Sequence, residues 1–170
     1  MRIIYSKPSL KDLSQGERIS YIRQLRMMSQ DEVSDKLGLT GECKRRTMTR
    51  YERGNRNPKK YRLKELSNIL QININSIKQF DFKNTIDIIY FLLWLEELIP
   101  NIQIEFNKDY INKNIDIYTF FNEWEEMKIK RKQKEISYFQ YTDWKFNYEI
   151  NREKWNVYNK NDKYHGYRWF

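Results

Sequence analysis

The sequence predicts a mainly α-helical protein, with a bundle of five helices in its N-terminal half and a small α+β domain after it. Three observations predict the bundle. Apolar residues recur at spacings of three and four, serine-led capping boxes stand where helices should begin, and glycines stand where helices should end. Hydrophobic residues make up 39% of the 170 residues and aromatic residues 16%, so a folded core is expected despite 32% charge.

The first three helices are predicted from their boundary residues. Capping boxes at 14–17 and 29–32 are expected to open the first and second helices, and Gly38 is expected to end the second. A third helix is predicted from about residue 44 to 53, where Gly54 follows.

Two more helices are expected to complete this half. A turn over 55–58 precedes the fourth helix, and a short fifth helix is predicted within 75–80. We therefore assign residues 1–15 to an N-terminal arm and residues 16–80 to a helical domain. The apolar residues that mark the fourth helix are Tyr61, Leu63, Leu66, Ile69 and Leu70.

The C-terminal half is expected to begin after a polar hinge at 81–84 and to form an α+β domain over 84–150. Residues 86–98 are apolar on nearly every side, which predicts a long helix buried all round and ended by Pro100. Alternation of apolar and polar residues predicts two short strands. The alternating apolar residues are Ile102, Ile104 and Phe106 for one strand, and Ile115 and Ile117 for the other.

Two helices are predicted after these strands. The first carries Phe120, Phe121, Trp124 and Met127, and the second opens at the capping box 137–140. The remaining residues, 151–170, form an aromatic basic tail to which no period can be assigned.

Charge is distributed unevenly along the chain. Of the formal net charge of +9, residues 1–78 carry +10 (18 basic and 8 acidic residues) and residues 79–170 carry −1 (14 basic and 15 acidic). Ten cations with a single carboxylate, Glu52, fall within 44–64, a density that favours a polyanionic partner such as nucleic acid. The ten cations are Lys44, Arg45, Arg46, Arg50, Arg53, Arg56, Lys59, Lys60, Arg62 and Lys64.

The residues from 16 to 78 resemble a Cro/cI-type (XRE-family) helix-turn-helix domain. The resemblance rests on Ile22-Arg23, the run from Ser29 to Leu39, the run from Met48 to Gly54, and Asn57-Pro58. Leu66-Ser67 and Leu70 complete it, and no family is identified for the C-terminal half.

The resemblance implies roles for individual residues. Arg23 and Glu52 match a buried ion pair between the first and third helices, and Gln30 matches a phosphate-clamping position at the start of the second helix. We expect the DNA-binding set to be Gln30, Lys44, Arg45, Arg46, Thr47, Thr49, Arg50, Asn55, Arg56 and Lys60.

Periodicity independently supports the base-facing part of this set. Positions 45, 46, 49 and 50 form one face of a helix, opposite Met48 and Tyr51. One departure from the family pattern matters: the third helix follows Gly38 four residues later than usual. The extra segment, 40–43, either lengthens the turn or starts the helix early at Thr40.

These observations predict a sequence-specific double-stranded-DNA-binding transcriptional regulator, expected to be a repressor that binds an inverted-repeat operator as a homodimer. Its dimer or partner surface is expected on the long C-terminal helix. An alternative is an anti-defence or antitoxin-type protein of a phage or mobile element, whose C-terminal domain inhibits a protein target. A structure-specific RNA or junction binder is a third possibility. The surface residues expected are Phe91, Trp94, Leu95 and Leu98.

Other function classes find no support in the sequence. We expect no enzymatic activity, no cofactor and no metal site, because there is no phosphate-binding glycine loop, no cysteine-pair motif and no nucleophile–base constellation. The longest apolar run, 88–95, is far shorter than the roughly 20 residues needed to span a bilayer. A cytoplasmic protein is therefore expected.

Overall fold

The computed structural model of the chain describes residues 7–41, 44–99, 102–104 and 114–150. Within these ranges the protein is all-helical, with seven α-helices, one short 3-10 helix and no strand. The aromatic tail, 151–170, and the start of the N-terminal arm lie outside the described residues.

The seven α-helices described are separated by connections of different lengths, the longest of which, 99–114, is only partly described. The short fifth helix expected within 75–80 is not formed as predicted: a 3-10 helix, Ile74–Ser76, overlaps only the first two of these residues, and 77–80 are not helical. The α-helices are α1 (Gln15–Leu25), α2 (Gln30–Lys36), α3 (Lys44–Glu52), α4 (Lys60–Leu70), α5 (Thr85–Leu98), α6 (Ile115–Lys132) and α7 (Tyr138–Phe146).

Side-chain caps start most of these helices. Ser29 before α2 and Ser137 before α7 each form a complete capping box with the residue three positions on. Ser14 before α1 accepts a hydrogen bond from the backbone N–H of Glu17 at 3.3 Å, but the carboxylate of Glu17 accepts from the backbone N–H of Lys11 instead. The first box is thus a simple N-cap.

The prediction of two strands in the C-terminal half is wrong. Ile115 and Ile117 lie in the first turn of α6, where Asn114 Oδ1 accepts a hydrogen bond from the backbone N–H of Ile117 at 3.1 Å. Ile117 begins a helical stripe that continues through Phe120 and Trp124, whereas Ile115 is 44% exposed. Residues 102–104 form no regular structure, and Phe106 lies outside the described residues.

The first of two hydrophobic clusters fills the space between α1, α2, α3 and α4. The helices α1 and α3 approach closely at Gly16, because a Cβ there would stand 2.5 Å from the carbonyl oxygens of Tyr51 and Glu52. The buried residues of this cluster are Ile19, Tyr21, Ile22, Val33, Leu37, Met48, Tyr51, Leu63, Leu66, Leu70, Ile72, Ile77, Trp94 and Phe146.

The last two residues of that cluster come from the C-terminal half. Trp94 of α5 lies edge-on to Tyr21 with ring centroids 5.6 Å apart, and it donates from Nε1 to the carbonyl of Ser76 at 2.9 Å. Phe146 of α7 lies 4.8 Å from Trp94 between ring centroids. The two halves therefore share one hydrophobic core, although the domain boundaries given above remain a prediction.

The second cluster joins α5, α6 and α7. One side of α5 faces it through Ile89, Tyr90 and Leu93. The other side is not buried, because Ile88 is 42% exposed and Phe91 is half-buried, so the expectation of a helix buried all round is wrong. The other buried members of the cluster are Phe120, Trp124, Tyr141 and Tyr148.

A buried ionic network lies where α1, α5 and α7 meet. The side chains of Glu97 and Lys145 are 2% and 1% exposed and form an ion pair. Tyr21 donates to Glu97 at 2.5 Å, and Lys7 pairs with the same carboxylate at 2.7 Å. Burial would raise the pKa of Glu97, but the contacts with Lys145, Lys7 and Tyr21 outweigh burial and lower this pKa to about 2.

Candidate nucleic-acid interface

The outer face of α3 carries the arginines that the sequence assigned to base contacts. Met48 is fully buried and Tyr51 is 5% exposed, so these two residues anchor the inner face. Arg45, Arg46 and Arg50 are exposed on the other side of the helix. Because Met48 and Tyr51 are buried in the core, α3 cannot rotate about its axis, and its three arginines face the solvent.

Not every cation of α3 is equally available. Lys44 pairs with Asp35 at 2.5 Å, and the hydrogen bond to Asp35 raises the pKa of Lys44. Arg45 lies 3.9 Å from Asp31, at the limit of an ion pair. Arg46 and Arg50 form no ion pair with any described residue, so their charges are the least neutralised on the helix.

The ion pair expected between α1 and α3 is present in the structure. Arg23 donates to Glu52 from Nε at 2.5 Å and from a terminal nitrogen at 3.0 Å, and the two side chains are 12% and 6% exposed. Arg23 also donates to the carbonyl of Met28 at 2.7 Å, which ties in the turn before α2. This bidentate pair fixes the tilt of α3 against α1.

Gln30 belongs to the same network. Its Nε2 donates to Glu52 at 2.7 Å, and its Oε1 accepts from the hydroxyl of Thr49 at 3.0 Å. The amide of Gln30 is therefore engaged with α3, and Thr49 is half-buried rather than fully presented. Whether Gln30 clamps a phosphate stays a prediction.

The loop between α3 and α4 adds a second group of exposed cations. Gly54 takes a positive φ of 71° after α3, and the backbone N–H of Arg56 donates to the carbonyl of Arg50 at 3.2 Å. Arg62 differs from its neighbours, since it donates to the carbonyl of Leu37 and to Glu65, both at 2.8 Å. The exposed polar residues of this loop are Arg53, Asn55, Arg56, Asn57 and Lys59, and Lys60, the first residue of α4, is exposed as well.

The first two residues of the extra segment before α3, Thr40 and Gly41, are not helical. The helix begins at Lys44, whose backbone N–H donates to the carbonyl of Gly41 at 3.2 Å. Residues 42 and 43 lie outside the described part. Thr40 therefore does not start the helix, the described part of α3 runs from Lys44 to Glu52, and Thr47 is half-buried in it.

The four residues expected on a dimer or partner surface divide into two groups. Trp94 is fully buried in the first cluster and cannot belong to such a surface. Phe91, Leu95 and Leu98 are half-buried and belong to neither cluster. Phe91 packs edge-on against Phe82 with ring centroids 5.5 Å apart.

Two further features bear on the class of site. In the described ranges, no group of three His, Cys, Asp or Glu side chains could hold a metal ion. None of the described helices is both long and apolar enough to cross a membrane.

Comparison with known proteins identifies the N-terminal half. Residues 19–77 match the model of the helix-turn-helix family, from within α1 to the residue after the 3-10 helix, and the C-terminal half is not matched by it. No curated protein and no solved structure matches the chain.

Proposed function

Because residues 19–77 form a helix-turn-helix domain of the XRE type, a domain of DNA-binding transcription regulators, we propose that the protein is a repressor that recognises a specific double-stranded DNA operator. The observation that carries the proposal is the pair Arg46 and Arg50. They are exposed on the outer face of α3 and form no ion pair with the described residues.

The chemistry of these two side chains suits the major groove. A guanidinium group donates two parallel hydrogen bonds to O6 and N7 of guanine, and each such pair contributes about 1–3 kcal/mol of discrimination between bases. An α-helix fits the major groove, and the nine residues of α3 present both arginines from one side. Guanine is therefore expected within the recognised half-site.

The surrounding cations supply affinity without base preference. Arg53, Arg56 and Lys59 are exposed in the loop after α3 and are suited to phosphate oxygens. Each phosphate that they neutralise releases counterions, so binding should weaken steeply as salt rises. Repression then requires only that the bound protein occupies the operator, and it takes place in the cytoplasm with the DNA.

The outer side of α5 is the proposed dimer surface. Ile88 is 42% exposed, and Phe91 and Leu95 are half-buried outside both hydrophobic clusters. Pairing of this side with a second copy would bury apolar area and relate the two α3 helices by a two-fold axis. Two-fold symmetry in turn requires an inverted repeat, with half-sites about one helical turn apart.

The same apolar side of α5 supports one alternative, in which the C-terminal half of an anti-defence or antitoxin-type protein binds and inhibits a protein target. In that case α5 is occupied by the target, and the helix-turn-helix domain regulates the protein's own gene. A protein that is monomeric in solution but still binds its DNA site would favour this alternative over the dimeric repressor.

Selection from random duplexes with the full-length protein tests the proposal, combined with its mass by analytical ultracentrifugation. Enrichment of a guanine-containing inverted repeat by a protein of twice the chain mass supports the dimeric repressor. Enrichment of a single half-site by a monomer contradicts the dimer. Binding without any enriched sequence contradicts specific recognition and would favour the RNA or junction binder instead.

A further inference from the structure

A second basic surface lies at the turn between α6 and α7. The chain carries five cations within residues 128–134, although the C-terminal half has a net charge of −1. One of the five, Lys128, is engaged inside the protein: it pairs with Glu96 at 3.7 Å and lies 3.7 Å from the centroid of the Trp124 ring. The other four form no ion pair with described residues and are here called the basic turn: Lys130, Arg131, Lys132 and Lys134.

The helix dipole accounts for only part of the basic turn. The dipole of a helix stabilises cations in its last turn, which accounts for Lys130, Arg131 and Lys132. Lys134 lies beyond the C-cap residue Gln133 and takes a positive φ of 62°. A glycine or asparagine is favoured in that conformation, so local structure does not explain a lysine there.

The basic turn leads directly into α7, and α7 is packed on α1 of the helix-turn-helix domain. Asp143 of α7 pairs with Arg26 at 2.6 Å, and the Phe139 ring lies 5.3 Å from the Arg26 guanidinium. Tyr138 and Tyr21 are joined by a hydrogen bond of 3.3 Å between their hydroxyls. Three peptide units link Lys134 to the N-cap residue Ser137, which limits their Cα separation to about 11 Å.

The basic turn leads into the N-terminal part of α7, and Phe139 and Asp143 of α7 contact Arg26 at the end of α1. Arg26, the C-cap of α1, stands four residues before Gln30, which is part of the hydrogen-bond network of α3. A duplex that occupies α3 and continues past the half-site extends about 34 Å for each further helical turn. Long lysine side chains on the turn that precedes α7 are suited to contact its backbone.

We propose that the basic turn is a second DNA contact, which binds the phosphate backbone of the duplex outside the half-site read by α3. The inference rests on the function proposed above and deepens it. The ligand is the sugar–phosphate backbone, with no preference for base sequence. The basic turn should therefore make binding more dependent on salt concentration and should favour longer duplexes. It should not change the base sequence that the protein recognises.

The test uses the full-length protein with the operator found by selection, in two duplexes. One is limited to the operator, and the other continues for about one helical turn, roughly ten base pairs, on each side. The variant K130Q/K132Q/K134Q removes the three exposed charges. The matched control K130R/K132R/K134R keeps them, and melting temperatures show whether each variant is folded.

The wild type and the arginine control should bind the long duplex more tightly than the short one. When the logarithm of the binding constant is plotted against the logarithm of the salt concentration, the slope for the long duplex should be steeper by about two to three units. The glutamine variant should lose both differences and keep the affinity for the short duplex. If a folded glutamine variant keeps the slope and the length preference, the second contact is refuted while the proposed function stands. If the wild type enriches no operator in the selection, the function itself fails and this inference with it.

Discussion

Gln30 and Glu52 are joined by a 2.7 Å hydrogen bond from the amide nitrogen to the carboxylate, and the same carboxylate pairs with Arg23. The residue expected at the phosphate therefore belongs to the network that orients α3. The contact to DNA predicted for Gln30 and the placement of the arginines on α3 are consequently linked through the carboxylate of Glu52.

Replacement of Glu52 by alanine should destabilise the protein by about 3 kcal/mol, because it leaves the poorly exposed guanidinium of Arg23 without its partner. Urea unfolding measures this change. The matched control is Glu65→Ala, which breaks the Arg62–Glu65 ion pair of α4. Because the side chain of Glu65 is 48% exposed, loss of this ion pair should lower the free energy of unfolding by less than about 1 kcal/mol. Equal losses in the two variants would contradict a structural role for the network.

The two classes of arginine should respond differently to truncation. Arg46→Ala or Arg50→Ala should relax the base preference at one position of each half-site by about 1–3 kcal/mol, because a bidentate contact to guanine is lost. Arg56→Ala should weaken binding to all duplexes equally and reduce the salt slope by about one unit. Binding of each variant to the operator and to single-base substitutions measures both effects.

A uniform loss of affinity in all three variants, with base preferences unchanged, would show that α3 contacts only the backbone. The loop residue serves as the control, since Arg56 is exposed and outside α3.

Gly16→Ala should destabilise the protein by about 3 kcal/mol, since the added methyl group would stand 2.5 Å from two backbone carbonyl oxygens of α3 and must push the helices apart. Gly38→Ala provides a comparison at a site with φ of 67° and no atom within 4 Å, where only backbone strain of about 1 kcal/mol is expected. Thermal unfolding ranks the two variants. A smaller loss for Gly16→Ala would mean that α1 and α3 are less tightly packed than the structure shows.

The sequence revealed the helix-turn-helix half well because its signals are local. Caps such as Ser29 and the inward pair Met48 and Tyr51 depend on residues within one or two turns. The C-terminal half was harder to predict, because the three residues Ile115 to Ile117 fit a strand and a helix equally well until the cap at Asn114 decides between them.

Contacts between the two halves could not be predicted from spacing. Trp94 was predicted to lie on a surface of α5, but it packs against Tyr21 of α1. This contact depends on how α5 packs on α1, which the sequence does not indicate. The pairing of Glu97 with Lys145 joins residues 48 positions apart and leaves no local pattern. The basic turn was visible as a run of lysines, but the net charge of the half obscured it.

Stability should depend on pH through Glu97. Its contacts with Lys145, Lys7 and Tyr21 overcome the effect of burial and lower its pKa to about 2, whereas an unfolded glutamate titrates near 4.3. A lowered pKa in the folded state means that the stabilisation is fully present above about pH 5 and is lost as pH falls from there towards 2. Urea unfolding of wild type between pH 7 and pH 3 should show this loss.

The variant Glu97→Gln removes the titrating group and leaves Lys145 paired with Glu96 alone. It should be less stable than wild type at pH 7, and the difference between the two proteins should shrink as pH approaches 3. The control Glu135→Gln changes an exposed side chain and should follow the wild-type curve. The free energies of unfolding of Glu97→Gln and wild type could instead differ by a constant amount from pH 7 to pH 3. That result would show that the ionised carboxylate of Glu97 does not stabilise the packing of α1, α5 and α7.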